Sequence, residues 1–298
     1  MASKIRGGSL SWSTKKDSAV QTTIHIDLQR ATGWEQWGLL CADQHLDNPA
    51  CDRDLHRRHL QQAADCGAFV LSFGDLFDAM QGKTDRRSAK DDLLPDVTSA
   101  TYLNDLVHFA ADFYRPFSEN LALMGEGNHE TAVTNKLEYS LLDGLVHELR
   151  TSGSSVIRGG YRGWIRFQFY SAENKHTESR RGYYMHGSGG GGPVTKGVIQ
   201  SNRRAAYLPD ADYVFSGHIH EQWILPIQQL RVNKTGTEYM STQYHVQLPT
   251  YKDEFCNEPG GFAHETSKPP KPIGAWWIRF YWSVRDKIIK TQFVEADK

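Results

Sequence analysis

Short apolar runs recur along the chain, and five of them stop abruptly at an acid, an amide or an imidazole. WGLLC at 37–41 opens into Asp43-Gln44-His45, and AFVLSF at 68–73 into Gly74-Asp75-Leu76-Phe77-Asp78. LALM at 121–124 leads to Gly127-Asn128-His129-Glu130, GYYM at 182–185 to His186, and YVFS at 213–216 to Gly217-His218-Ile219-His220. Runs of this length, too short for helices and bounded by turn residues, predict buried strands that emerge into polar loops. Between the early runs the period lengthens. Residues 53–66 mix charge with Leu and Ala, and 100–114 form an amphipathic stretch with Pro116 just past its end. Residues 136–150 carry Leu137, Leu141, Leu142, Val146 and Leu149 on one face, so all three segments predict helices.

Beyond residue 155 the texture is strand upon strand: SVIRG, WIRFQFY, QWILPIQQLRVN, EYMSTQYHVQL and AWWIRFYWSV. A first short strand is predicted at 23–29. Strands alternating with helices, followed by a strand-rich half, predict a layered α/β protein with two sheets rather than one doubly wound sheet. Residues 1–22 read as a flexible tail and 23–298 as one domain. The segment 249–273, rich in Pro, Gly and charge, is long for a structureless connection and reads as a lid or accessory loop.

Composition narrows the function without naming it. The 298 residues are 39% hydrophobic and 23% charged, an ordinary balance for a soluble domain. The polar N-terminus has no signal-like run and no segment has the length to span a bilayer, so a cytoplasmic, non-membrane protein is expected. Lys plus Arg number 34 against 35 Asp plus Glu, so bulk charge does not point to nucleic acid, although a local basic groove stays open. Cys41, Cys51, Cys66 and Cys256 form no CxxC pair, which fits a reducing compartment. Cys41, in an apolar run, reads as a small core residue.

The candidate chemistry lies at the five run ends. In α/β proteins ligands gather beyond the carboxyl ends of strands. Oxygen donors mixed with imidazoles suit Mn, Fe or Zn. Two such ions about 3.5–4 Å apart clamp the attacking and leaving oxygens of a phosphoryl group. Gly74, Gly127 and Gly217 each precede a proposed ligand, where a missing side chain lets the backbone turn beside a crowded site.

The ordered set Asp43-Gln44-His45, Gly74-Asp75-Leu76-Phe77-Asp78, Gly127-Asn128-His129-Glu130, His186 and Gly217-His218-Ile219-His220 resembles the calcineurin-like metallophosphoesterases over roughly residues 37–221. The resemblance implies a four-layer α/β/β/α sandwich and phosphoester hydrolysis by water activated between two divalent ions, Mn²⁺ first, Fe or Zn as alternatives. It implies that Asp43, His45 and His220 hold one ion, that Asn128, His186 and His218 hold the other, and that Asp75 bridges them. His129 would be the outer histidine that protonates the leaving group. Asp78 matches the acid that orients this histidine in the family's protein phosphatases. Those enzymes follow the second block with Arg-Gly, whereas this chain has Ala79-Met80, so protein phosphatase activity is not expected. The blocks look closer to the phosphodiesterase and DNA-repair exonuclease branch, although that branch more often has Asp where Glu130 stands.

Other features stay open between chemistry and scaffold. Consecutive glycines at 189–192 with Lys196 could offer backbone N–H groups and a charge to phosphate, or merely connect strands. Arg203 and Arg204 would extend that path. The aromatic run Trp276, Trp277, Phe280, Tyr281 and Trp282 reads as sheet core before base-stacking platform. His56 and His59 read as surface residues of the first helix, and His176 as an exposed loop residue. The expected substrate is a phosphodiester, DNA or nucleotide among the candidates, with a small phosphomonoester as the alternative. A non-catalytic scaffold would need missing ligands, and none is missing. A dimer through a bare sheet edge or the C-terminal aromatics is compatible with the sequence.

Overall fold

The computed structural model describes residues 10–79, 94, 97, 101–172, 176–190, 192, 194–255 and 269–296. The apolar runs form two sheets. The first has seven strands in the order β1 (Trp12–Lys16), β2 (Gln21–Asp27), β7 (Arg162–Ser171), β8 (His176–Met185), β9 (Tyr213–Ser216), β11 (Glu238–Gln247) and β10 (Trp223–Val232). The second has six, in the order β13 (Ile288–Glu295), β12 (Trp276–Ser283), β3 (Glu35–Cys41), β4 (Phe69–Ser72), β5 (Leu121–Met124) and β6 (Ile157–Arg158). Along β7 buried residues alternate with more exposed ones, so one of its faces is largely covered. In β4, β5 and β9 every residue is buried, the continuous apolar reading of strands covered on both sides.

Between the sheets lies a core of Ile24, Ile26, Leu40, Phe69, Leu71, Phe167, Phe169, Phe215 and Phe280, among others. Burying each of these side chains contributes about 1.5–3 kcal/mol. Phe73 stacks on Phe215 at 5.2 Å and on Tyr184 at 5.3 Å, which ties the two sheets together just beneath the run ends. Helices α1 (Arg53–Asp65), α2 (Tyr102–Tyr114), α3 (Asn128–Leu137) and α4 (Leu141–Thr151) supply the apolar faces of a second core on the outer side of the six-stranded sheet. Helix α5 (Val198–Tyr207) leads into a small cluster of Leu208, Ala211, Tyr183 and Val214 on the seven-stranded sheet. The order is therefore helix, sheet, sheet, helix, the four layers expected, with a thin fourth layer.

Several boundaries differ from the sequence reading. The tail expected through residue 22 already contains β1 and most of the approach to β2: Trp12 is buried and its indole donates to the Gly67 carbonyl at 2.9 Å. The helix expected at 136–150 is two helices, because Glu138 adopts a left-handed φ of 54° and Ser140 caps a new start by accepting from the Asp143 amide. Helix α5 was hidden by its glycine-rich approach. The ends of the expected 249–273 loop are core rather than lid: Tyr251 is fully buried, and the isolated bridges Cys51–Lys252 and Thr250–Ile273 pin the chain. Residues 256–268, with Cys256, lie outside the described residues, and so does the side chain of His176. The aromatics of β12 are sheet core, with Trp276, Trp277 and Phe280 buried.

His56 and His59 are buried, not exposed, because α1 turns them toward Tyr251 rather than to solvent. His59 shares a 2.8 Å hydrogen bond with the Tyr251 hydroxyl. His56 stacks on the Tyr251 ring at 4.4 Å, and neither of its ring nitrogens has a hydrogen-bond partner among the described residues. Burial pushes its pKa down to about 3, from an ordinary value of 6.5. The native state therefore refuses a proton that the unfolded chain accepts, and stability falls as pH drops from 6.5 toward 3. We expect His56→Leu to gain roughly 2 kcal/mol over the parent at pH 5 and little at pH 8, read by urea unfolding at both.

Candidate metal centre

All five run ends meet at one edge of the sandwich. Strands β3, β4 and β5 are parallel neighbours in one sheet, and β8 and β9 are parallel neighbours in the other. Their carboxyl ends deliver Asp43 and His45, Asp75, Asn128 and His129, His186, and His218 and His220 respectively. Ligand atoms of Asp43, His45 and His220 lie within 4.8 Å of one another, and so do those of Asp75, His186 and His218. The structure thus brings Asp43, His45 and His220 together, and puts Asp75 beside His186 and His218.

Asp43, Asp75, His186 and His45 are each held by one side-chain atom and turn another toward the site. The His218 amide donates to Asp43 Oδ2 at 2.8 Å, which leaves Oδ1 buried without a hydrogen-bond partner among the described residues. The His129 amide donates to Asp75 Oδ1 at 2.9 Å. His186 Nδ1 donates to the Phe73 carbonyl at 3.0 Å, which turns its Nε2 toward Asp75 Oδ2, 3.0 Å away. Asn128 Oδ1 is likewise buried without a hydrogen-bond partner among the described residues. His45 Nδ1 lies 2.9 Å from Asp78 Oδ1, which leaves Nε2 only 3.4 Å from His220 Nε2. His220 Nε2 is in turn 3.3 Å from Asp43 Oδ1. These separations suit ligands around an ion bound at about 2.0–2.2 Å. Carboxylate, amide and imidazole atoms crowded this closely in a buried site fit a divalent cation in each group.

In the metal-free chain Asp75 and His186 hold one another in their charged forms. Burial alone raises the Asp75 carboxyl, but His186 at 3.0 Å overrides it and holds the group far below its ordinary range. Burial opposes a protonated His186, yet Asp75 and Asp43 outweigh it and push its pKa up to about 9, so a bound cation would have to displace the proton that Nε2 otherwise shares with Asp75. Burial and the nearby Asp75 push Glu130 up to about 7.

Backbone conformation is the other half of the construction. Asp43, His45, Asp75, His218 and His220 all have left-handed φ, between 46° and 73°. For residues with a Cβ this costs about 1–2 kcal/mol each, and such strain concentrates at functional sites. The glycines make room: a Cβ on Gly127 would lie 2.0 Å from Asp75 Oδ1, and one on Gly217 would lie 2.5 Å from Asp43 Oδ2. Gly127→Ala should therefore displace the Asp75 carboxylate and lower metal uptake at least tenfold, measured as bound Mn²⁺ per chain, with helix content unchanged by circular dichroism.

Three supports were not read from the sequence. Glu130 accepts from the amides of Gly127, Asp75 and Phe77, at 2.7, 3.1 and 2.9 Å, and so laces the second loop to the third. Its place three residues into α3, reaching back to the residue before the helix, is a capping-box signal that the sequence displays. Asp47 accepts from the Asp78 and Ala79 amides at 2.6 and 2.9 Å. Thr250 and Tyr251 donate to the Asp43 carbonyl at 2.7 and 3.1 Å, from a segment more than 200 residues away that no local pattern connects to it.

Of the expected outer residues, His129 sits beside the groups, its Nε2 3.8 Å from Asp75 Oδ2 and its Nδ1 2.5 Å from the Asp78 carbonyl. The Asp78 carboxylate is 4.0 Å from His129 Nδ1 but 2.9 Å from His45 Nδ1. Lys196 is exposed and pairs with Glu221 at 3.7 Å. Arg203 is exposed on α5, whereas Arg204 is buried on the same helix.

No protein-family model and no curated protein matches the chain. Among solved structures, the Zn²⁺ complex of Vps29 from Entamoeba histolytica is similar over 87% of this chain and 99% of that one, at 10% identity and a TM-score of 0.34. A conserved protein from Streptococcus pneumoniae described as a predicted phosphoesterase is similar over 88% and 99%, at 10% identity and 0.31. GAP50, described as the anchor in the inner membrane complex of Plasmodium, is similar over 88% and 84%, at 10% identity and 0.37. Such scores are too low to assign a fold, which the chain's own two sheets and their helical covers establish.

Proposed function

We propose that the chain is a metal-dependent phosphoesterase of the calcineurin-like type, acting on phosphodiesters, nucleic acid or nucleotide among them. The observation that carries this reading is the pair of adjacent groups, Asp43 with His45 and His220, and Asp75 with His186 and His218. Asp43, His45 and His220 would hold one divalent ion; His186, His218 and the Asn128 amide oxygen would hold the other, with Asp75 serving both. Two such ions, Mn²⁺ in our reading, supply an activated water and neutralise charge on the phosphoryl oxygens.

The chain's own residues do the rest. The Asp78 carbonyl accepts from His129 Nδ1, so Nε2 is the atom left to exchange a proton, on the side of the ring nearer Asp75. We assign it the protonation of the leaving oxygen, a role typically contributing 10²–10⁴-fold. Lys196 and Arg203 are exposed cations available to the substrate's other phosphates; Arg204, buried, is assigned no such contact. No helix among the described residues is long and apolar enough to cross a membrane, and we take the cytoplasm as the working location.

A substrate panel tests the reading: nitrophenyl mono- and diesters, cyclic nucleotides, and single- and double-stranded DNA, each with Mn²⁺. Diester turnover abolished by a chelator and restored by Mn²⁺ is expected. Turnover confined to monoesters would refute the diester assignment, and no turnover of any member despite two bound ions would refute catalysis.

A further inference from the structure

The third grouping of ligand-type side chains, His45, Asp78 and His129, also lies within 4.8 Å. It differs from the other two in having a cation of its own. Lys252 Nζ is 3.4 Å from Asp78 Oδ1 and 3.4 Å from Glu254 Oε1, with its side chain largely buried. The other oxygen of Asp78 accepts from Asn48 Nδ2 at 2.9 Å, and Asp47 grips the Asp78 amide. The Asp78 carboxylate is thus held on both oxygens, at 2.9 Å from His45 Nδ1 and 4.0 Å from His129 Nδ1.

We propose that Lys252 is a positioning residue for the metal centre. Its ammonium supplies the positive charge that this third grouping needs, and commits the Asp78 carboxylate to His45 rather than to His129. Among the described residues, His45 is then the candidate ligand whose outward ring nitrogen faces a carboxylate, which fixes its tautomer and ring orientation. The outward nitrogen of His186 faces the Phe73 carbonyl instead. The two ion positions are accordingly unequal, and the one containing His45 depends on Lys252. Lys252 can do this because its chain neighbours are anchored: Thr250 and Tyr251 bind the Asp43 carbonyl, and Lys252 itself bridges to Cys51.

The inference rests on the two-ion reading, and one titration separates the two. Metal-free full-length protein, with Lys252→Met and Lys252→Arg, is titrated calorimetrically with Mn²⁺, and each variant's thermal midpoint is recorded. The parent should take up two equivalents of unequal affinity. Lys252→Met should weaken one of them about 10–100-fold, the range seen when a ligand's supporting partner is lost, with the other within about twofold. Lys252→Arg, which keeps the charge, should restore most of the loss. Unchanged binding in Lys252→Met would overturn the role of Lys252 alone. So would equal weakening of both equivalents with a lowered thermal midpoint, the mark of a merely structural contact. A parent that takes up no Mn²⁺ would overturn the two-ion reading and this inference with it.

Discussion

Asp75→Ala should abolish phosphodiester hydrolysis, by at least about 10⁴-fold, and strip the protein of both ions. Three observations make it the most damaging substitution. Its Oδ2 faces His186 Nε2 at 3.0 Å and His129 Nε2 at 3.8 Å, so it stands between an ion position and the proposed proton donor. Its Oδ1 accepts the His129 amide and so ties the second loop to the start of α3. Without it, Asp43 is the sole carboxylate left in the two groups. Bound metal per chain and hydrolysis of bis-p-nitrophenyl phosphate measure the two losses together. An Asp75→Ala protein that kept two ions would sink the bridging role.

His129→Ala should separate what Asp75→Ala removes at once. Its backbone amide, not its ring, braces Asp75, and alanine keeps that amide. Metal content should therefore stay at two per chain while turnover falls about 10²–10⁴-fold, the usual worth of a positioned acid. The loss should shrink for nitrophenyl esters, whose leaving group needs little protonation, and be largest for alkyl esters. Loss of metal as complete as in Asp75→Ala would show the ring to be a ligand instead.

How much of the fold and the site shows in the sequence depends on distance along the chain. The strand ends and their donors were legible because each signal is local: an apolar run, a turn, then Asp, Asn or His. The two sheets followed from the change of period near residue 155. What stayed hidden was support arriving from afar. Lys252 lies in a charged segment that looks like loop, and what brings it to Asp78 is the bridge to Cys51 together with the bonds of Thr250 and Tyr251 to the Asp43 carbonyl. His56 and His59 were misjudged for the same reason. Their helix is charged and carries a polar face, and what buries them is Tyr251, far down the chain. Strand β1 was missed because its five residues, WSTKK, hold a single large apolar side chain, and that one side chain is what docks.

Five residues of the centre, Asp43, His45, Asp75, His218 and His220, sit in a backbone region that glycine occupies freely. Any selection for thermal robustness alone would be drawn to these positions, since glycine there relieves a cost of up to about 1–2 kcal/mol apiece. Each such gain would delete a donor. A stabilised descendant of this chain is therefore better sought at buried sites remote from the loops, and a library that hardens the protein by mutating the loop tips is expected to return well-folded, inert molecules.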